Sequence, residues 1–371
     1  MRYRLKFKDI DVMIFDLDKS LDGVIVSNIE ILNNKKIPLD LDVNNIDKWL
    51  KRRIIPSNRA YVNNFLAKQG LNEKDIIGII NISKSLSLND CYWVVPANFK
   101  GEFSEFNLYN NKFSNILSSI AFTGYGSEVR TTFRTSPEFT TNGMLAKCWR
   151  RVDGEILLFK SGTEGAANTG KEPYSEFLAY QIAEAMGINS IPYNLSKWKN
   201  KLCSTCKLFT SINESFIPTG SIVKQGGINA VLEYYKNLGE EFYSELITMF
   251  LFDAIIFNTD RHLGNFGFII DNNTNEIVRT APIFDNGLSL FCYSMDETFE
   301  EMSNYSKTRT PALYDNYIDI LNGQLTSKNK EQLRNLIGFK FRAHPRYNLD
   351  KKRLKLIEKA ITERVAELLG L

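Results

Sequence analysis

The sequence is 371 residues long, 43% hydrophobic and 24% charged, the balance of a well-packed globular chain rather than of a disordered or membrane-embedded one. Its net charge of +3 is too small to imply nucleic acid or an anionic membrane as a partner by itself. Five cysteines, an odd number scattered over a long chain, make no disulfide framework and point to a reducing compartment.

The amino-terminal run M-R-Y-R-L-K-F-K-D-I-D alternates charged and apolar residues and lacks the continuous apolar stretch of a Sec-type signal peptide, so synthesis as a soluble cytoplasmic protein is expected. Residues 1–37 read as strands joined by turns, one of them at Asp22–Gly23. Within them V-M-I-F-D-L-D-K-S-L, from Val12 to Leu21, is similar to the phosphatase motif of the haloacid dehalogenases. That chemistry would make Asp16 a nucleophile and Asp18 an acid/base. Lys19-Ser20 stands where Gly-Thr is usual, and no convincing acidic metal motif follows, so a hairpin with exposed carboxylates is expected instead. Residues 40–70 look helical, with Trp49, Leu50, Tyr61, Phe65 and Leu66 as apolar anchors. Residues 76–135 are rich in Asn, Ser and Phe and show no clear period. The basic runs Lys51-Arg52-Arg53 and Lys351-Lys352-Arg353 read as solvated helix faces.

From Thr135 the pattern sharpens. Asn142-Gly143 reads as a turn before the strand M-L-A-K-C-W-R-R, and Asp153-Gly154 as a turn before E-I-L-L-F-K, which together make a β-hairpin. A Gly- and Asn-rich loop from Gly162 to Lys171 leads to a helix opened by Pro173 and stopped by Gly187. Strands follow at 191–198 and 202–210, the second carrying Cys203 and Cys206, a lone C-x-x-C whose alternating surroundings suit a structural role. The chain turns helical around 228–257. Its most apolar stretch, Leu246 to Phe257, is too short and too polar to span a membrane and fits a buried helix. A second hairpin turns at Asp271–Asn275. An amphipathic helix with Leu354, Ile357, Ile361, Val365 and Leu368 at spacings of three and four closes the chain. Strand-rich first and helix-rich second, this is an α+β, two-lobed arrangement. The amino-terminal lobe is expected over 1–212, with an extension to 134 and nucleotide-binding hairpins and helix over 135–212, and the helical catalytic lobe over 213–371.

The segment F-N-T-D-R-H-L-G-N-F-G-F is the most informative. Asp260 and Asn265 stand five residues apart in a loop that leaves a buried helix and enters a strand, and Asp285 follows beyond the hairpin in I-F-D-N-G. Phosphoryl transfer asks for one carboxylate to orient the attacking hydroxyl and take its proton, and for oxygen ligands to hold Mg²⁺ against the triphosphate of ATP. Asp260 suits the first role, and Asn265 and Asp285 the second, with Gly287 allowing a sharp turn away from the metal. Lys160, at the end of E-I-L-L-F-K, can bind phosphates as a point charge. Glu176 on the following helix is its natural partner, with Glu172 the competitor. Thr140, Thr141, Asn142 and Gly143 could cover the phosphates with backbone N–H groups, and Thr210, Ser211 and Ile212 lie where an adenine hinge should be. Asp253 interrupts an apolar helix and needs partners, expected from loop backbone. His262 reads as a residue that shapes the loop.

D-R-H-L-G-N resembles the D-R-H-x-x-N of phosphoinositide 3-kinase-like lipid kinases, with I-F-D-N-G in the place of their Asp-Phe-Gly. The wider run N-T-D-R-H-L-G-N-F-G-F…A-P-I-F-D-N-G, with S-P-E-F-T-T-N-G-M-L-A-K-C-W-R and I-L-L-F-K-S-G, resembles the HipA-like bacterial serine/threonine kinases from about Thr135 to Leu290. The resemblance implies a protein-kinase-like fold, ATP and Mg²⁺ as cofactors, and a protein substrate with a Ser or Thr acceptor. It also implies Asp260 as the catalytic Asp, and Asn265 and Asp285 as metal ligands. Autophosphorylation at Ser136, Thr140 or Thr141 is implied by it too. Because the family has a secreted member, secretion after synthesis is compatible with it. Asp-Asn-Gly in place of Asp-Phe-Gly puts a switch built on packing of the Phe in doubt.

A kinase acting on a lipid or small molecule is the first rival, since D-R-H-x-x-N occurs there also. A catalytically silent nucleotide-binding module is the second, and the retention of Lys160, Asp260, Asn265 and Asp285 argues against it. A DNA-binding or toxin–antitoxin role rests on family analogy alone, with no helix-turn-helix or basic recognition helix in the sequence.

Overall fold

The structure is a computed structural model that describes residues 1–20, 23–126, 135–295 and 302–370. The chain separates into two compact units, each assembled from three stretches: 1–160, 207–217 and 269–278 in the first, and 161–206, 218–268 and 279–371 in the second.

The first unit opens with β1 (Arg2–Phe7), β2 (Ile10–Ser20) and β3 (Gly23–Ile31). Asp22 of the expected Asp22–Gly23 turn lies outside the described residues. Helices α1 (Ile46–Lys51), α2 (Val62–Ala67) and α3 (Ile76–Ser83) follow, then β4 (Tyr92–Pro96), α4 (Phe103–Phe106) and α5 (Asn115–Thr123). The four strands make one antiparallel sheet of order β3-β2-β1-β4. Strand alternation decides its faces: Tyr3, Leu5, Phe7, Met13, Phe15 and Leu17 are buried. Asp16 and Asp18 therefore fall on the opposite face, where Asp16 accepts a 2.8 Å hydrogen bond from Asn28 Nδ2 and the Asp18 side chain is 63% exposed. D-x-D is here the outward half of an alternating strand, as expected. The core is aromatic, with buried Trp93 packed against the rings of Phe99, Phe103 and Phe106.

Two readings of this region change. Residues 40–70 hold a 3₁₀ turn at Val43–Asn45 and the six-residue helices α1 and α2, the two helices separated by the stretch around Pro56. Arg53 is not part of a solvated face. It is buried, pairs with Asp90 at 2.6 Å and donates to the carbonyls of Ser85 and Tyr92.

Strands β5 (Lys147–Val152) and β6 (Glu155–Ser161) form the expected hairpin, with Lys147 opposite Lys160. Its turn needs two left-handed residues, supplied by Asp153 (φ 50°) and Gly154 (φ 84°). The Asn142-Gly143 turn closes no hairpin. It links a single 3₁₀ turn, Pro137–Phe139, to β5.

In the second unit α6 (Glu172–Met186) starts with Pro173 in its first turn and stops at Gly187, φ 67°. β7 (Tyr193–Trp198) and β8 (Lys201–Lys207) pair around a turn at Lys199 and Asn200, both left-handed. Cys203 and Cys206 lie buried on β8, with Cys203 Sγ donating to the carbonyl of Ser196 at 3.4 Å. Residues 207–217, with nearly all of β9 (Glu214–Pro218), return to the first unit, and α7 (Thr219–Ile222), α8 (Gly227–Leu238) and α9 (Glu240–Ile256) follow in the second. The helical stretch expected over 228–257 is thus broken at Gly239. All residues of α9 from Leu246 to Ile256 are buried, as its composition required. β10 (Gly267–Asp271) and β11 (Glu276–Thr280) turn at Asp271–Asn275 and make a three-stranded sheet of order β11-β10-β9, and residues 269–278 of this hairpin belong to the first unit. The chain ends with α10 (Met302–Lys307), α11 (Ser327–Arg334) and α12 (Lys351–Leu369). In α12 Ile357, Ile361, Val365 and Leu368 face inward. Arg353 joins them, donating to the carbonyl of Phe291 and to Ser294 Oγ at 2.7 and 2.6 Å, so this basic run is not fully solvated either. No helix among the described residues is long and apolar enough to cross a membrane.

Candidate active site

The loop after α9 is built from the helix end outward. Phe257 takes a left-handed φ of 52° and donates its N–H to the carbonyl of Asp253, stopping the helix. Asn258 then turns back. Its side-chain amide donates to Asp253 Oδ1 at 2.8 Å, and its Oδ1 accepts the backbone N–H of Asp260 at 3.0 Å. Tyr317 closes over the loop with its hydroxyl on the carbonyl of Asn258, 2.5 Å away. Asp260 is left half-exposed between buried Asn258 and buried Arg261. Five residues on, Asn265 is buried, and its Nδ2 donates to the carbonyl of Asp260 at 3.3 Å. That bond orients the amide and leaves Oδ1 as the acceptor end.

Asp285 reaches the same neighbourhood through a short parallel bridge. Ile283 donates to the carbonyl of Asn189 and accepts from Ile191, both at 2.9 Å. Asp285 follows with a left-handed φ of 57°, a conformation that aspartate tolerates better than most residues. The left-handed residue of this turn is therefore Asp285 itself. Its N–H donates to the Tyr193 hydroxyl at 3.1 Å, and the next N–H, of Asn286, donates to Glu176 Oε2 at 2.7 Å. Tyr193 is buried, and burial first, then the Glu176 and Asp285 carboxylates, hold its hydroxyl far above its ordinary pKa. It acts here as a neutral hydrogen-bonding post.

The two halves meet at Arg261. Its guanidinium is fully buried and forms a two-pronged ion pair with Asp253, Nε to Oδ2 at 2.8 Å and Nη2 to Oδ1 at 2.9 Å. It also reaches the carbonyls of Asn265 (3.1 Å) and Phe284 (2.7 Å) and Asn286 Oδ1 (2.7 Å). Burial disfavours the charge, but Asp253 outweighs it and raises the pKa. Asp253 is thus satisfied by the side chains of Arg261 and Asn258, not by loop backbone as the sequence suggested. His262 is exposed, and its Nδ1 accepts the N–H of Gly264 at 3.0 Å, a loop-shaping bond.

Glu172, the competitor of Glu176, is engaged elsewhere. Its Oε1 accepts from the Tyr293 hydroxyl at 2.7 Å and from the N–H of Thr163 at 2.9 Å. Burial raises its pKa, but those bonds outweigh it and leave the carboxyl below its ordinary value.

The remaining candidates belong to the first unit. Lys160 is buried near the end of β6, at 8% exposure, rather than solvated. Opposite it, Lys147 Nζ donates to the carbonyl of Asn142 at 2.9 Å. Gly143 has φ 94°, a left-handed conformation that favours glycine. Thr140 is buried with its hydroxyl on the carbonyl of Leu86, and Thr141 donates to the carbonyl of Pro137. Thr210 is buried with its hydroxyl on the carbonyl of Leu88. Ser211 Oγ accepts the N–H groups of Asn213 and Glu214, and the Ile212 carbonyl accepts from Asn272 at 3.0 Å.

Sequence reasoning missed Arg261, Asn286 and Arg59. Arg59 is fully buried, pairs with Glu138 at 3.1 Å and donates to the carbonyls of Glu138, Thr141 and Lys147. Only the adjacency of Arg261 to Asp260 in D-R-H could have drawn notice beforehand.

A hard divalent cation held together with substrate phosphates needs only one or two protein oxygens. Asn265 Oδ1 and the Asp285 carboxylate are of that type, and the side-chain chemistry fits Mg²⁺.

No protein-family model matches this chain. It is 26% identical over 208 residues to the serine/threonine-protein kinase CtkA of Helicobacter pylori strain J99, a match covering 48% of this chain and 61% of that relative. The chain therefore spans less than two thirds of the length of the curated relative it matches. Among solved structures it is similar to a crystal structure of a Helicobacter pylori proinflammatory kinase CtkA. The TM-score is 0.50 at 20% identity, over 62% of this chain and 90% of that one. It is similar also to HipA in a Shewanella oneidensis MR-1 complex of HipA, HipB and operator DNA. There the TM-score is 0.59 at 10% identity, over 100% of this chain and 99% of that one. The α+β, two-lobed, kinase-like fold expected from the sequence is the fold observed.

Proposed function

We propose that this chain, which resembles the HipA-like serine/threonine kinases in sequence and in fold, is an ATP- and Mg²⁺-dependent serine/threonine protein kinase. The observation that carries the reading is the set of bonds around Asp260. A half-exposed carboxylate stands in a loop whose every neighbour is fixed, with Asn265 oriented by the Asp260 carbonyl and both linked by Arg261 to the backbone flanking Asp285.

In this reading Asp260 orients the acceptor hydroxyl and takes its proton as the oxygen attacks the γ-phosphorus. The bond from that phosphorus to the β,γ-bridging oxygen breaks, and ADP leaves with the electron pair. Asn265 Oδ1 and the Asp285 carboxylate hold Mg²⁺, which supplies charge neutralisation on the phosphates when bound. Lys160 carries further positive charge to the phosphates, backed by Glu176. Residues 140–143 cover the phosphates, and 210–212 lie beside the adenine. Autophosphorylation on Ser136, Thr140 or Thr141 belongs to the same reading.

The test is incubation of the purified protein with γ-labelled ATP, Mg²⁺ and generic protein acceptors, followed by mapping of the labelled residues. Label on Ser or Thr, abolished by chelation, is expected. Label confined to lipids or small molecules would assign a different acceptor, and no transfer to any acceptor would overturn the reading.

A further inference from the structure

A guanidinium has five N–H donors in a rigid fork, and Arg261 spends all five. Nε–H and one Nη2–H go to the Asp253 carboxylate, the second Nη2–H to Asn286 Oδ1, and the two Nη1–H groups to the carbonyls of Asn265 and Phe284. The acceptors come from the end of α9, from the candidate metal ligand Asn265, and from the residues on either side of the candidate metal ligand Asp285. No bond goes to solvent, since the side chain is fully buried.

We infer that Arg261 is a positioning residue that sets the separation and orientation of Asn265 and Asp285, so that Asp253 and Arg261 together fix the geometry of the metal site without touching the metal. This deepens the phosphotransferase reading and rests on it. The physical argument is one of shared donors. Nη1 serves Asn265 and Phe284 at once, so moving either segment breaks a charge-assisted bond in a dry interior, where an unmade bond is costly. Asp253 anchors the fork to a helix whose last eleven residues are all buried, a rigid base for a ligand pair. Asn286 shows how far the arrangement is committed. Its oxygen serves Arg261, while its Nδ2 is buried with no hydrogen-bond partner.

A lysine at 261 keeps the charge but offers three donors from a single point, and cannot span Asp253, Asn265 and Phe284 together. Loss of such an outer support typically costs about ten- to a hundredfold in metal affinity. The experiment measures Mn²⁺ affinity by electron paramagnetic resonance in the presence of a non-hydrolysable ATP analogue, for wild type, Arg261→Lys and Asn286→Ala. The Mg²⁺ dependence of kcat is measured alongside. Expected are a weakening of about tenfold or more in Arg261→Lys and a smaller one in Asn286→Ala, with analogue affinity in the absence of metal unchanged and partial rescue of kcat by high Mg²⁺. A role in folding alone would lower thermal stability without moving the metal dependence. Arg261→Lys that folds and binds Mn²⁺ within about threefold of wild type overturns the inference. If Arg261→Lys does not fold, the same outcome in Asn286→Ala overturns it. A wild type that binds Mn²⁺ with the analogue yet transfers no phosphate defeats the kinase reading while leaving the positioning claim decided by the affinities. A wild type that binds no metal defeats both.

Discussion

Glu176 Oε2 accepts the backbone N–H of Asn286 at 2.7 Å, and both residues are fully buried. The bond fastens the second turn of α6 to the residue after Asp285. Removing the carboxylate by Glu176→Ala leaves a buried N–H unpaired, a loss of about 1.5–3 kcal/mol for a bond to a charged group. Glu176→Gln keeps an acceptor oxygen and should cost less. Urea unfolding of the two variants checks the order, and an alanine variant as stable as wild type would show that the bond contributes nothing.

Asp260→Ala should lower phosphoryl transfer by about 10² to 10⁴, the usual cost of a positioned base, while binding of an ATP analogue persists. The loop should stay in place because Asn258 and Asn265 hold it through the N–H and carbonyl of residue 260, not through its side chain. Single-turnover rates and analogue titration separate the two effects. Activity within about tenfold of wild type would remove Asp260 from the role of base.

What was legible in the sequence was short-range. D-R-H-L-G-N and I-F-D-N-G could be read because the residues of each lie in one loop and their order carries the pattern. The alternation of V-M-I-F-D-L-D gave the outward face of β2 for the same reason. The contribution of Arg261 could not be read, because its acceptors Phe284 and Asn286 lie across an intervening hairpin. Arg53 and Arg353 looked like the tails of solvated basic runs because charge alone says nothing of a carboxylate or carbonyl supplied from elsewhere, such as Asp90 or Phe291. Residues 76–126 resisted because their elements are four to nine residues long, too short to establish a period.

Lys160→Ala should weaken binding of ATP by about tenfold or more while the hairpin survives, since a charge-assisted contact contributes about 1.5–3 kcal/mol. The flanking register, Cys148 opposite Phe159 and Trp149 opposite Leu158, does not depend on the ammonium group. Calorimetric titration with ATP measures the change. Unchanged affinity would place Lys160 outside the nucleotide site.

The hydroxyls implied as autophosphorylation sites are held inside the first unit. Ser136 is fully buried, Thr140 donates to the Leu86 carbonyl, and Thr141 donates to the Pro137 carbonyl while accepting from Trp149 Nε1 at 3.0 Å. A phosphate of about −1.5 to −2 charge cannot occupy such positions, so modification requires release of the segment. Arg59 holds it, through the carbonyls of Glu138 and Thr141. Arg59→Ala should therefore autophosphorylate faster than wild type on these residues, read by mass spectrometry over time in Mg-ATP. Equal rates would mean that release of the segment is not the limiting step.

The Arg59–Glu138 pair also sets a pH dependence. Burial pushes the Glu138 carboxyl up to about 6 from its ordinary 4.5, against the pull of Arg59 and of the Trp149 N–H. Burial likewise pushes the Arg59 guanidinium down, against the pull of Glu138, so for both partners desolvation outweighs the pairing. A folded-state pKa above the unfolded value means that the folded chain holds this proton more tightly. The contribution of Glu138 to stability is thus fully present below about pH 4.5 and is lost as pH rises through about 6. Glu138→Gln removes the titration and should flatten the stability profile across that window relative to wild type. Arg59→Ala leaves a buried carboxylate without its cation, which typically costs about 3–5 kcal/mol, and the penalty should shrink as pH falls, beginning above the wild-type value of about 6, because Glu138 without the pull of Arg59 holds its proton more tightly still. Melting temperatures of the three proteins from acid to neutral pH decide the matter. Parallel profiles for wild type and Glu138→Gln would show that Glu138 keeps one protonation state throughout, and that the clamp on residues 138–147 is indifferent to pH.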